Sequence, residues 1–172
     1  MTENNDHVQN LQNKEAVEKI KDLATSAKVC MFTTQLSVVP LTSVPMGTQE
    51  VDDEGNLYFL SGKTSHKNQH IQSDPRVQLF YTNTGSSEFL SVYGNATITT
   101  DKAEIEKLWT PIAKAWFTEG KDDPDLTVIK VAPEEAYYWD TKNGKAVTML
   151  KILAGAITGK TMDGGVEGKL SV

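Results

Sequence analysis

The chain has 172 residues, with 17 Lys and Arg against 23 Asp and Glu, and a net charge of −6. That length suits a single domain that buries most of its chain surface without staples. The acidic balance excludes a partner held by neutralising a phosphate backbone, so no nucleic acid is expected. The single cysteine, Cys30, excludes an intrachain disulfide and a cysteine-based zinc site, and its neighbours Val29 and Met31 make it a buried thiol of a reducing compartment. No basic segment precedes an apolar run, and nothing approaches the roughly 18 apolar residues of a membrane span. A cytoplasmic protein without a membrane partner is expected.

Residues 1–10 are polar and read as a flexible N-terminus. Leu11, Ala16, Val17, Ile20, Leu23, Ala24 and Ala27 then recur at helical spacing, predicting an amphipathic helix over about residues 12–27. The texture changes to strands at 29–34, 38–51 and 57–61, with the acidic, Gly-containing stretch 52–56 as a hairpin loop. Pro40 and Pro45 cannot donate to a ladder, which places them at edge or bulge positions. Thr64-Ser65 precedes a short helix, His66 to Ser73, which ends at Asp74-Pro75 because the residue before proline avoids the α region.

Strands follow at 77–82 and 89–99, then a helix capped by Asp101 that carries Ile105, Leu108 and Trp109. Pro111 either kinks this helix or starts another with Ile112, Ala115 and Trp116. Two more strands are expected at 126–131 and 135–140, around Ala132-Pro133-Glu134. A C-terminal helix holds Ala146, Val147, Leu150, Leu153, Ala154 and Ile157, and a Gly-rich tail closes the chain. About seven strands grouped in meanders, with four or five helices, give an α+β fold around an antiparallel barrel or sandwich.

The richest local chemistry is Tyr58-Phe59-Leu60-Ser61-Gly62-Lys63-Thr64-Ser65-His66-Lys67, a strand that delivers hydroxyls and cations to a helix N-terminus. First-turn amides, the hydroxyls of Ser61, Thr64 and Ser65, and the charges of Lys63 and Lys67 suit a phosphate monoester. The same residues would also serve as an ordinary helix cap beside solvated lysines. Upstream, Val44-Pro45-Met46-Gly47-Thr48-Gln49 puts a proline and a glycine in a strand, where free backbone groups can meet a planar ligand. Trp116 sits at a helix end, where its indole could stack on such a ring or simply pack. Three histidines are too few and too ill-spaced for a metal site, and no Gly-x-Ser-x-Gly, His-Glu-x-x-His or Gly-x-Gly-x-x-Gly pattern occurs.

In order along the chain, Met31-Phe32-Thr33-Thr34, Ser43-Val44-Pro45-Met46, Leu57-Tyr58-Phe59-Leu60-Ser61, Ser65-His66-Lys67, Asp74-Pro75-Arg76-Val77 and Tyr93-Gly94-Asn95-Ala96 resemble the pyridoxamine 5′-phosphate oxidase-like superfamily, and within it the general stress protein branch. The long run Trp116-Phe117-Thr118-Glu119-Gly120-Lys121-Asp122-Asp123-Pro124 is similar to the same branch. The resemblance implies a six-stranded antiparallel split β-barrel with flanking helices, occupying residues 11–160 as a single FMN-binding domain before a tail at 161–172. It implies a homodimer with FMN at the subunit interface, and an oxidoreductase acting on an unidentified small molecule. The alternative is a non-enzymatic flavin-binding or stress-sensing protein.

Carried over position by position, Ser61, Ser65 and Lys67 hold the flavin phosphate, with Lys63 and His66 beside them. Val44, Pro45, Met46, Gly47, Thr48 and Gln49 run along the isoalloxazine ring, Phe59 and Leu60 lead into the phosphate turn, and Trp116 is a candidate for the far wall, from the same subunit or the other. The branch usually carries arginine where this chain has Val44 and His66, and Arg76 is its sole arginine. Imidazole lacks the permanent planar charge of guanidinium, so a weaker and pH-dependent hold on the phosphate is expected. Residues 165–172 do not resemble the family's basic segment that would hold the phosphate of a pyridoxamine phosphate substrate, so oxidation of that substrate is not expected.

Overall fold

The computed structural model describes residues 7–141 and 165–172. In chain order the elements are β1 (Leu11–Gln12), α1 (Asn13–Ala27), β2 (Val29–Thr34), β3 (Thr42–Gly47), β4 (Glu50–Val51), β5 (Leu57–Gly62), α2 (His66–Ser73), β6 (Arg76–Asn83) and β7 (Glu88–Thr99). After them come α3 (Lys102–Leu108), 3₁₀ turns at Pro111–Ala115 and Gly120–Asp122, β8 (Leu126–Thr141) and β9 (Gly165–Ser171). The fold is α+β, and among the described residues its sheet has nine strands rather than the six expected.

The strand order is β1-β9-β8-β7-β6-β2-β3, with β5 added to the first half of β8 and β4 to β5. Along one edge, β8 pairs with β5 through residues 126–131 and with β9 through residues 136–141, so this strand holds two parts of the sheet together. Phe32 on β2 and Phe59 on β5 are separated by β6, β7 and β8 along the sheet, yet their rings meet edge-on at 5.2 Å between centroids. The sheet is therefore curled until its two ends share one core. Ala16, Ile20, Leu23 and Ala24 of α1, spaced to form one helical stripe, are buried in that core. A second cluster of Ile105, Leu108, Ala113, Phe117, Leu126 and Val128 seats α3 and the 3₁₀ segment.

Several expectations change at their boundaries. The strand expected over 38–51 is broken, because its pairing changes hands: Thr48 N–H donates to Lys28 O, and Gln49 N–H already donates to Tyr58 O on β5. Pro40 lies outside the strands, whereas Pro45 lies in β3, at the end of the strand order, where its missing N–H costs nothing. The two strands expected around Pro133 are one, β8, with a bulge where Tyr93 pairs with Glu135 and Gly94 with Pro133. Gly94 is required there, since a Cβ would lie 2.2 Å from the Ala132 carbonyl oxygen.

Residues 165–171, expected within a Gly-rich tail, form β9 between β1 and β8. Val166, Gly168 and Leu170 alternate inward, a period-two signal that the glycines obscured. Residues 7–10, read as part of a flexible N-terminus, run beside β9, where Gln9 N–H donates to Glu167 O at 2.7 Å. The C-terminal helix expected over 146–157 lies outside the described residues. The 52–56 hairpin forms as expected, with Asp52 accepting from the Glu54 and Asn56 amides. Cys30 is buried, and burial pushes its thiol up to about 12, so it is inert near neutrality.

Candidate functional site

A groove of about 810 Å³ opens between β3, the end of β5, the start of α2 and the 3₁₀ segment at 111–115. Its volume falls in the range of small-molecule and cofactor sites. Eleven of the fourteen expected site residues line it: Val44, Pro45, Met46, Gly47, Gln49, Leu60, Ser61, Ser65, His66, Lys67 and Trp116. The space beside Gly47 is open, because a Cβ there would meet nothing nearer than Gln49 Nε2 at 3.6 Å.

Three expected residues do not line the groove. Phe59 is fully buried in the core, since strand alternation turns it inward while Leu60 faces the groove. Thr48 is turned to Tyr81, with the two hydroxyl oxygens 2.7 Å apart. Lys63 lies past the end of β5, exposed, its amide donating to Asp125 O at 2.6 Å. The groove also takes in Val29, Phe32, Thr34, Thr42, Gly62, Thr110, Ile112, Ala113 and Phe117. Only the curl of the sheet brings the β2 residues here. Thr110 to Phe117 stand in a single run of sequence, and their signal was the tryptophan beside a proline-started turn.

The wall at 111–117 is built by contrast between neighbours. Ala113 and Phe117 are buried in the second cluster, whereas Ile112 and Trp116 are 71 % and 73 % exposed. Burying Phe117 is worth about 1.5–3 kcal/mol, enough to hold the turn while the Trp116 indole stays available at the rim.

At the other end, α2 starts at Ser65, whose side chain caps the helix by accepting from Asn68 N–H at 3.3 Å. The His66 and Lys67 amides precede the first intrahelical donor, Gln69, and sit at the positive end of the helix dipole. Burial pushes the Lys67 ammonium below its usual range, and the carboxylate of Asp125 pulls it partly back. Asp125 itself is committed to the turn, accepting from the Thr64 amide at 2.9 Å. A half-buried ammonium held this way gains most from an anion in the groove.

A buried polar network lies beneath. Ser61 Oγ donates to Asn68 Oδ1 at 2.7 Å, Asn68 Nδ2 donates to Thr127 Oγ1 at 3.0 Å, and Thr127 Oγ1 donates to Ser61 O at 2.8 Å. On the far side of α2, His70 Nδ1 and Thr34 Oγ1 lie 2.9 Å apart, tying the helix to β2. Arg76 is not a groove residue, because its guanidinium forks onto Asp74 through Nε at 2.9 Å and Nη2 at 2.7 Å.

A curled, mixed sheet, antiparallel except where β1 runs parallel to β9, with an anion-suited helix start at one end of an apolar groove defines a class, and the chain belongs to it: residues 15–163 match the family model described as pyridoxamine 5′-phosphate oxidase like. No helix among the described residues is long and apolar enough to cross a membrane. The chain is similar to protein bli-3 of Neurospora crassa, 31 % identical over 156 residues, covering 83 % of this chain and 75 % of that protein. Among solved structures it is similar to a general stress protein 26 from Jannaschia sp. CCS1, with TM-score 0.75 at 23 % identity over 92 % of this chain and 96 % of that one. It is also similar to the general stress FMN/FAD binding protein of Xanthomonas citri, with TM-score 0.64 at 27 % identity over 74 % and 89 % of the two chains.

Proposed function

We propose that the groove binds FMN and that the protein is an FMN-dependent oxidoreductase acting on a small molecule. One observation carries this reading: a desolvated Lys67 and the capped start of α2 open onto one end of a groove that is otherwise mostly apolar. The residues fit the cofactor. Ser65, Lys67, His66 and the first-turn amides suit a phosphate of about −1.5 to −2 charges. Val44, Pro45, Met46 and Gly47 offer an apolar strand with edge backbone groups to a planar ring, and Trp116 lines the same groove. Bound flavin supplies the electron or hydride transfer, and the chain supplies binding, orientation and shelter from water. The match to the Xanthomonas citri FMN/FAD binding protein supports the cofactor class.

In this reading β2, β3, β5, β6, β7 and β8 are the six strands of a split barrel, extended by β1, β4 and β9. The protein is a homodimer with the flavin at the subunit interface. Supporting this, Met31, Phe80, Phe89 and Trp139 are 39–48 % exposed, and register places Met31 beside Phe80 and Phe89 beside Trp139. Such a patch on a sheet face suits a second copy.

A non-enzymatic flavin-binding or stress-sensing role is the second reading, and one observation favours it. Among the described residues, no carboxylate lines the groove, and the titratable groups there are His66 and Lys67, both at the anion end. The test is the visible spectrum of the purified protein, an FMN titration, and a turnover screen with reduced nicotinamides and quinones. Flavin bands or saturable fluorescence quenching support the site, and turnover selects the enzyme. A colourless protein indifferent to FMN refutes both.

A further inference from the structure

The two serines at the anion end are not equivalent, and a buried carboxamide makes the difference. Thr127 has one hydroxyl proton and donates it to Ser61 O at 2.8 Å, so its oxygen accepts from Asn68 Nδ2 at 3.0 Å. That fixes the Asn68 amide with Oδ1 toward the serines. The oxygen carries no proton, so Ser61, at 2.7 Å, must donate to it and presents only lone pairs to the groove. Ser65 Oγ is 3.2 Å from the same oxygen and 3.4 Å from Ser61 Oγ, so its proton is held by longer, weaker bonds.

We infer that Asn68 is the positioning residue of the anion site: locked by Thr127, it takes the Ser61 proton and leaves the Ser65 proton for a bound phosphate. The inference rests on the flavin-phosphate reading above. A charged phosphate oxygen is a stronger acceptor than a carboxamide oxygen, so Ser65 exchanges a long bond for a short one. Asn68, 1 % exposed, keeps the Ser61 proton and is not orphaned when the ligand binds. If both serines turned to the phosphate, a buried acceptor would be stranded.

The test titrates FMN and riboflavin, which share the ring and differ by the phosphate, into the full-length protein. Ser65→Ala lowers the preference for FMN about tenfold, and Ser65→Thr restores most of it. Adding Asn68→Ala to Ser65→Ala recovers at least about threefold, because Ser61 is released to the phosphate. A double variant that folds and is no better than Ser65→Ala overturns the inference. The crystal structure of the wild-type FMN complex decides the same point without any variant. Ser65 Oγ on a phosphate oxygen, with Ser61 Oγ still on Asn68 Oδ1, supports it, and Ser61 Oγ on a phosphate oxygen overturns it. A wild type with no preference for FMN over riboflavin overturns the flavin-phosphate reading instead, and the inference falls with it.

Discussion

Lys67→Met should separate ligand binding from stability, moving them in opposite directions. The ammonium is desolvated, its only charged aid among the described residues being the Coulombic pull of Asp125, and it faces the end of the groove assigned to the phosphate. A hydrogen bond to a charged group is worth about 1.5–3 kcal/mol, so removing it weakens FMN by roughly 10- to 100-fold. Riboflavin lacks the phosphate, and its affinity should stay within about threefold. The stability effect follows from linkage. The folded-state pKa of Lys67 is depressed below that of the unfolded chain, so its charged form is less welcome in the folded protein. Its contribution improves as pH rises from the depressed value toward 10.5, and below the depressed value the penalty is present in full. Methionine removes that penalty, so the Tm of the unliganded variant should rise rather than fall. Fluorescence-quenching titrations with both flavins, together with a thermal melt, measure the two effects. Equal losses for FMN and riboflavin, or an unchanged FMN affinity, would refute the placement of the phosphate at Lys67.

Three further outcomes are expected. Gly94→Ala puts a methyl group 2.2 Å from the Ala132 carbonyl oxygen at the β7–β8 bulge, and a denaturant melt should show a loss of more than about 2 kcal/mol. His66 lines the anion end of the groove, so His66→Asp, which sets a carboxylate against the phosphate, should weaken FMN binding by more than about tenfold while riboflavin stays within about threefold. Parallel titrations with both flavins measure this, and equal changes for FMN and riboflavin would remove His66 from the site. Phe80→Asp, in the middle of the exposed apolar patch, should convert a dimer to a monomer and weaken FMN binding with it. Light scattering after gel filtration reads the mass, and a dimer that survives the substitution would move the interface elsewhere.

Much of the fold was written in local pattern. The α1 stripe, the 52–56 hairpin, the Ser65 and Asp101 caps and the edge position of Pro45 each depend on neighbours within a turn or a strand, where residue chemistry acts directly. The anion end of the site was legible for the same reason, since Ser61, Ser65, His66 and Lys67 lie within one strand end and one helix start. Glycine obscured β9: Gly165 and Gly168 weaken a strand pattern, yet Gly168 is needed because a Cβ there would lie 2.0 Å from the Gln9 carbonyl oxygen.

What the sequence by itself determined is the class of fold and the residue types that can meet a phosphate. What only the tertiary structure decided is how they are shared out. Curling the sheet brings Phe32 and Thr34 of β2 to the groove, beside residues of β5 that lie far from them in sequence. Pairing β5 with β8 places Thr127 beside Ser61, and through Asn68 this partner 66 residues away orients the hydroxyl of a serine that local sequence offered as a donor. A side chain's chemistry is local, but the direction of its proton is set by whatever the fold places against it.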